Sequence, residues 1–587
     1  MARNRSKRSK PHQQEPIHTS TATIFQNLKD ELEEEQEEEQ QQRQPTKKEQ
    51  SQVASQFTSK EDIENATFPF NYIYQFQDFL NERMTLLKAI QLAIMLFYTQ
   101  LLYLHKDKIP GLYERISEIF FNWLGIVFCL ILEIVRSKED KINPPDFNYF
   151  YSILIPTFLN LLHYDPQWFI ANLSLNYFIL DRLNPIFNII SSIMFFEIYK
   201  PENSNLSTIQ FIQLCIFQLF FNYIINYINE GNITTEVTKK EGELIENLDY
   251  NKTLKKSEIQ LICILIVNLL FNQSLMDNYL PITIFQKLFI SLVISSILLY
   301  PLFQIIPQLI SILLFGSIFS YLTIFQLNHI LKENAIKWLY EYIISDDKRL
   351  YILKVWIVMA SITIPIVFYF VEFFTLNIRR KIWHLFIIVA LTFSPSILYS
   401  QIEFTLISLL GMLAIFLIIE VLRYNQISFI GKYLFNKLIK FQDFKDLKGP
   451  LNLSYIYLLV GVTIPIIYDF MINKQNVTII RYAGLVTLGV GDTLASIIGR
   501  RYGSIKWKGS DKSIQGTIAF ISSSLVAFYL IDEYSKFNIY LPVSNWENLF
   551  VTVLLAGLLE GTADINDNYL IPIFIPISYE ILNKCYP

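Results

Sequence analysis

The sequence predicts an all-α fold, a polytopic bundle of transmembrane helices behind a polar N-terminal tail. Three observations predict it. Apolar residues make up 52% of the 587 and charged residues only 17%, against roughly 25% charged in a soluble domain. Apolar runs long enough to span a bilayer, roughly 20 residues each, follow one another from Met84 to the C-terminus. The runs do not alternate with the period of a membrane barrel strand, so each must satisfy its own backbone as a helix.

Residues 1–66 open basic (Arg3, Arg5, Lys7, Arg8, Lys10) and turn acidic and Gln-rich from Asp30 to Gln44. This composition cannot bury enough apolar area to offset ordering entropy, so a disordered polar tail is expected. Residues 1–22 hold no apolar stretch of signal-peptide type, so the first span is expected to target the chain.

Residues 67–375 read as an N-terminal multi-span region. Its longer candidates are Met84–Leu104, Glu118–Val135, Phe147–His163, Leu206–Ile228, Ile282–Leu299, Leu302–Leu322 and Tyr351–Phe374. Shorter ones are Trp168–Leu180, Asn184–Tyr199 and Ile259–Phe271. The polar loop Asn229–Glu258 divides this region. Residues 376–587 add Ile382–Tyr399, Phe404–Leu422, Leu453–Phe470, Tyr482–Gly499, Ile514–Ile531, Leu549–Leu559 and Leu570–Leu582. The expected total is 13 to 17 spans.

A net charge of −4 gives no reason for a nucleic-acid partner. The four cysteines form no CxxC pair, three of them sit in apolar runs, and the six histidines show no metal-ligand spacing.

Chemistry is concentrated in residues 376–587, where charged residues and glycines collect at the ends of spans. The densest stretch runs from Gly489 to Thr517. Within it Asp492, Ser496, Gly499 and Gly503 share one helical face. Ala495, Gly499 and Gly503 also make a small-xxx-small pattern, which by itself suits the close approach of another membrane helix. Asp492 adds a carboxylate near a span, which is costly and by default functional. Lys506, Lys508 and Lys512 follow within one loop. Glycine, carboxylate and lysine together suit a nucleoside triphosphate: backbone N–H groups approach phosphate, lysine neutralises it, and the carboxylate holds a divalent ion. No Walker A sequence is present. The other charged stretches are Arg380-Lys381-Ile382-Trp383-His384, Phe441 to Asp446, and Glu560 to Asn568.

These stretches carry a resemblance. Asp492-x2-Ala495-x3-Gly499-x3-Gly503-x2-Lys506-Trp507 followed by Lys512-Ser513-x2-Gly516-Thr517 resembles the CTP-binding signature of dolichol kinases. Arg380-Lys381-x2-His384 resembles the opening of their conserved region, and Phe441-x-Asp443-x2-Asp446 their Phe-x-Asp-x2-Asp loop. Tyr455-Ile456-Tyr457-Leu458-Leu459-x-Gly461 and Glu560-x6-Asp567-Asn568-x3-Pro572 are similar to two further family segments. All five occur in order across the last third of the chain. Gln515 stands where the family usually has Glu, and Tyr455 where it has His.

The resemblance implies a CTP-dependent polyprenol kinase that transfers the γ-phosphoryl group of CTP to the hydroxyl of dolichol. The expected setting is the endoplasmic reticulum membrane, with the product serving as lipid carrier for protein glycosylation. Lys506, Lys512, Ser513, Gly499, Gly503 and Gly516 would then attend the nucleotide, and Asp492 and Asp567 would hold Mg²⁺. Glu560, Asp443 or His384 would take the substrate proton. Arg380, Lys381, Asp446 and Asn568 complete the motifs.

Counting spans gives an independent expectation. Alternating sides from Arg379 puts Arg379–Lys381, Arg423–Gly449, Arg500–Lys512 and Glu560–Asn568 on one face, which also carries the Lys/Arg excess and should be cytoplasmic. Rival readings are a kinase of diacylglycerol, phytol or farnesol, a CTP:phosphatidate cytidylyltransferase, and a transporter. A transporter would need charges near the bilayer midplane and a repeat between halves, and the sequence shows neither. The oligomeric state is not legible.

Overall fold

A computed structural model describes residues 86–108, 115, 117–122, 124–125, 165–179, 185–230, 252–272, 279–303, 305–374, 376–442, 446, 449–472, 477–507, 510, 512–538, 545–563 and 566–587. The expected tail, the span Phe147–His163, most of Glu118–Val135, Asp443 and Lys508 lie outside the described residues.

Helices account for nearly all of the described structure. They are α1 (Leu86–Leu104), α2 (Pro166–Leu175), α3 (Pro185–Tyr199), α4 (Thr208–Glu230), α5 (Lys256–Phe271), α6 (Leu280–Leu299), α7 (Gln308–Leu331), α8 (Ala335–Ile344) and α9 (Asp347–Tyr369). After them come α10 (Leu376–Thr392), α11 (Ile402–Tyr424), α12 (Ser428–Leu438), α13 (Ser454–Ile472), α14 (Asp492–Tyr502), α15 (Ile514–Asn538), α16 (Trp546–Thr562) and α17 (Asp567–Cys585). Among the described residues there is no strand, only an isolated antiparallel bridge between Lys506 and Ser513. The chain is a multi-pass, all-α membrane protein.

Seven described helices are long and apolar enough to cross a membrane: α4, α6, α7, α9, α11, α13 and α15. The other expected spans that fall on described residues are also helical, but are shorter or more charged. Thus α10 carries Arg379, Arg380 and Lys381 in its first two turns, and α17 carries Asp567, Glu580 and Lys584. Two boundaries moved for local reasons. The expected Leu302–Leu322 helix instead starts at Gln308, directly after Pro307, because proline cannot donate within a helix and disfavours helix in the residue before it. The expected Tyr482–Gly499 span is three pieces: a 3₁₀ turn at Ile479–Tyr482, a π-helical segment at Leu485–Gly491, and α14. Wide π turns of this kind cluster at functional sites.

The core is centred on α17, whose residues are buried from Asn568 almost without break to Cys585. Around it lie α13 and α16, and α15 packs on α14, α16 and the π segment. At the α13–α17 contact, a Cβ on Gly461 would come within 1.9 Å of the Asn568 carbonyl oxygen. Only glycine permits that approach.

The N-terminal helices are built into this core. Gln91 on α1 donates to the Thr562 carbonyl (2.7 Å), the Tyr98 hydroxyl meets Ser578, and Lys108 reaches the Cys585 carbonyl (2.6 Å). Glu258 on α5 accepts from the Asn566 N–H (3.1 Å).

Candidate functional site

Asp492 is placed by the π segment. The widened helix ends at Gly491, and the Asp492 N–H still bonds five residues back to the Thr487 carbonyl. Glycines let neighbours close in on this segment: a Cβ on Gly489 would strike Ile388 of α10, and one on Gly491 would meet Ser524 and Phe520 of α15. Against it lies the Arg-Lys-x-x-His stretch of α10. Lys381 Nζ reaches Asp492 Oδ2 at 2.5 Å, and His384 Nδ1 lies 3.8 Å from the same oxygen. His384 is buried, with Nδ1 3.0 Å from the Leu488 carbonyl. A carbonyl can only accept, so Nδ1 carries the hydrogen and Nε2 is left with the lone pair.

A second group lies across the helix ends. Lys512 Nζ donates to Glu560 Oε1 (2.8 Å), to the Glu560 carbonyl (2.6 Å) and to Asp567 Oδ2 (2.7 Å). Burial disfavours its ammonium form, but the Asp567 and Glu560 carboxylates outweigh this and hold its pKa above the ordinary lysine value. Glu560 is nearly buried, whereas Asp567 keeps about a quarter of its side chain exposed. The two groups are one electrostatic unit, because Asp567 and Asp492 lie close enough to repel. Three stretches that are far apart in sequence thus converge. The fourth is joined through Arg379, which donates to the Lys440 carbonyl (3.0 Å).

The loop that presents Lys512 is a tight hairpin. The Trp507 N–H bonds the Lys512 carbonyl (3.0 Å), and the Ile514 N–H bonds the Ile505 carbonyl (2.8 Å). Gln515 closes it from the side, accepting from the Ile505 N–H (3.2 Å) and donating to Ser504 Oγ (2.7 Å). A carboxylate at this position would have to accept from the Ser504 hydroxyl instead of donating to it. Trp507 Nε1 donates to Thr517 Oγ1 (3.0 Å), against Gly561 of α16. Lys506 is exposed.

The motif glycines have packing partners. Gly499 and Gly516 face each other where α14 crosses α15, each leaving space that a Cβ would crowd. A Cβ on Gly503 would meet Ser513. Ser513 precedes α15 and accepts from the Gly516 N–H (3.1 Å), as a helix N-cap does. These residues set the α14–α15 approach, the small-residue packing that their spacing allows.

Asp446 and Asn568 take part in helix capping, Asp446 as an acceptor at the start of α13 and Asn568 as a backbone donor at the start of α17. Asp446 Oδ2 accepts from the Ser454 N–H (3.0 Å) and Oγ (2.5 Å). The Asn568 N–H bonds the Asn566 side chain (3.0 Å). Arg380 is half-buried beside Lys381.

Sequence reading missed two supports. Glu420 and Arg423 form a buried bidentate pair (2.6 and 2.8 Å). Arg423 also holds the Pro450 carbonyl (2.6 Å), and Glu420 accepts from the Asn452 N–H (2.9 Å) and the Tyr455 hydroxyl (3.1 Å). Tyr455, at the position where histidine was expected, is thus a half-buried hydroxyl donor. Glu258 is the second support: besides Asn566 it accepts from the Tyr569 hydroxyl (3.4 Å), so it grips the loop on both sides of Asp567. Both could have been found by the rule that picked Asp492, since each is a charged residue in or beside an apolar run.

Among the described residues no group of three or more His, Cys, Asp or Glu side chains is arranged to hold a metal ion by itself. A lysine-lined set of carboxylates at the ends of membrane helices is suited to phosphate chemistry on a substrate that stays in the bilayer, and this defines the class: a polytopic membrane protein with an interfacial phosphate site. Residues 29–237 match the family model of the dolichol kinase N-terminal domain. A dolichol kinase of Saccharomyces cerevisiae is 28% identical over 477 residues, covering 79% of this chain and 83% of that protein. Dolichol kinases of Schizosaccharomyces pombe and Homo sapiens are 32% and 30% identical over 260 and 266 residues, 42% and 43% of this chain and about half of each relative (50% and 48%). Over most of its length the chain is thus similar to dolichol kinases, and residues 29–237 to their N-terminal domain. No solved structure matches it.

Proposed function

We propose that this protein is a CTP-dependent dolichol kinase of the endoplasmic reticulum, with its site facing the cytoplasm. The hydroxyl oxygen of dolichol attacks the γ-phosphorus of CTP, the bond to the β-phosphate oxygen breaks, and the products are dolichyl phosphate and CDP. The observation that supports this most is the convergence of Lys381–Asp492 with Lys512–Glu560–Asp567 at one end of the bundle. A long isoprenoid alcohol never leaves the bilayer, so its kinase must meet a soluble nucleotide at the interface.

The residues fit a triphosphate with a divalent ion. Mg²⁺ is commonly held by one or two carboxylates plus substrate phosphates, and Asp492 and Asp567 offer two neighbouring carboxylates. The ion would neutralise charge building on the phosphate oxygens. Lys512, with Lys506 on the same hairpin, provides cationic charge for the phosphates. Glu560, paired with Lys512, and the Nε2 of His384 are the described candidates for taking the hydroxyl proton. Asp443, a third candidate, lies outside the described residues. Gly499, Gly503, Gly516 and Ser513 keep the lysine hairpin against α14. The catalysis asked of the chain is mainly positioning and charge stabilisation.

The test is transfer in membranes containing the protein, with γ-labelled and α-labelled CTP and a panel of dolichol, diacylglycerol, phytol and farnesol. Label from γ-CTP on dolichol, with release of CDP, is the expected result. Label on another alcohol in preference to dolichol, or α-label entering lipid with release of pyrophosphate, overturns it.

A further inference from the structure

A cavity of about 310 Å³ is lined by α10, the segment that follows it, the π segment and α15. Ile388 on α10 and Val490 on the π segment form its near end. Ile388 is one helical turn after His384, and Val490 is two residues before Asp492. Gly491 sits against Ser524 of α15, and the lining then continues down that helix through Ala527 and Leu530 to Tyr534. At a rise of 1.5 Å per residue, the step from Ser524 to Tyr534 is about 15 Å. Ser394, Pro395, Tyr399 and Tyr482 complete the lining away from Asp492 in sequence. Leu530 and Tyr534 are about 60% exposed on the outer surface of the bundle, so the cavity opens sideways towards the hydrocarbon.

We infer that this cavity holds the hydroxyl-bearing end of the isoprenoid chain and aims its hydroxyl at the Asp492–Lys381 pair. The inference rests on the polyprenol-kinase reading. Three observations choose this occupant over a bilayer phospholipid. The walls are overwhelmingly apolar, and two of the lining residues, Ile388 and Val490, lie close in sequence to His384 and Asp492. The near-end residue Val490 is two positions from Asp492, which is paired with Lys381, and a neutral hydroxyl can bond such a pair without adding a further charge. The volume accommodates only a few isoprene units, so the rest of a long chain stays in the bilayer through the lateral opening. The tail gains little hydrophobic free energy on entering, because lipid is already apolar. The cavity acts by orientation, which is worth rate.

The test uses the full chain in phosphatidylcholine nanodiscs with a polyprenol bearing a diazirine near its hydroxyl end. Labelling within residues 482–490 and 527–534, competed by unlabelled polyprenol, is expected. Equal labelling of these residues by a diazirine phosphatidylcholine, uncompeted by polyprenol, overturns the inference. A second arm fills the cavity with Ala527→Phe, or with Ala527→Met should the larger side chain prevent folding. The kcat/KM for polyprenol should fall about tenfold while the Kd for CTP stays at the wild-type value. Unchanged kcat/KM in correctly inserted protein refutes the cavity's role. A wild-type protein that phosphorylates no polyprenol refutes the kinase reading itself, so the two failures are distinguishable.

Discussion

Replacing Lys512 with methionine keeps the aliphatic stem and removes the charge that joins Glu560 to Asp567. Three contacts between 2.6 and 2.8 Å are lost. Removing one partner of a fully buried pair costs about 3–5 kcal/mol, since the remaining charge is uncompensated. Lys512 is a third exposed and Asp567 28% exposed, so water screens part of this and the expected loss is about 2–3 kcal/mol. Most of it belongs to Glu560, the buried partner. Lys512→Met/Glu560→Gln removes the orphaned charge, and should therefore be more stable than Lys512→Met alone. The coupling expected from the cycle is about 1.5–3 kcal/mol. The assay is unfolding of purified protein in detergent at pH 7. The raised lysine pKa makes this contribution fully present below the ordinary lysine value and lost only as pH rises through the folded one. Additivity within about 0.5 kcal/mol would show that Lys512 and Glu560 do not share an ion pair.

Asp492→Asn should insert and fold normally yet lower phosphoryl transfer by orders of magnitude; wild-type turnover would remove Asp492 from the site. Glu258→Ala should lower kcat with little change in the KM for CTP, because it loosens the loop around Asp567, and Glu258→Gln, which retains an acceptor, should recover most of it; equal loss in both variants would contradict a hydrogen-bonding role. Gly461→Ala should cost about 1–3 kcal/mol by overpacking against the Asn568 carbonyl, whereas Gly316→Ala, with nothing within 4 Å of its Cβ position, should leave yield of folded protein unchanged. Ser504→Cys should react with an impermeant thiol reagent from the cytoplasmic side and Val477→Cys only from the opposite side; equal access from one side would break the span count.

Periodicity and run length made the helices legible because a bilayer leaves a single span no other regular structure. They could not show the π segment. Its widened turn depends on tertiary contacts, with Ile388 against Gly489 and Phe520 against Gly491, and nothing in the local pattern of residues 485–491 distinguishes it from an ordinary apolar helix. The place of the N-terminal helices was hidden for a similar reason. Gln91 and Glu258 look like stray polar residues, and become informative only when their partners, Thr562 and Asn566, are found more than 300 positions away.

The charged residues of the candidate site could be picked out from the sequence, but their pairing could not. Charge placement picked out Asp492, Lys512, Glu560 and Asp567 because ionised groups near a span are costly unless something pairs with them. The same rule says that they must be paired, and alternation of spans put them on one face. It could not say that Lys512 serves Glu560 and Asp567 together, while Lys381 serves Asp492. Nor could spacing separate two uses of glycine. A small residue every fourth position lets either a phosphate or a helix approach, and at Gly499 and Gly516 the structure shows the close helix approach. Gln515 makes the converse point. Read as a missing charge it weakens the motif, yet in place its amide both accepts from Ile505 and donates to Ser504. The hairpin that carries Lys512 is therefore held by a neutral amide that uses both its donor and its acceptor, and the carboxylates paired with Lys512 come from Glu560 and Asp567.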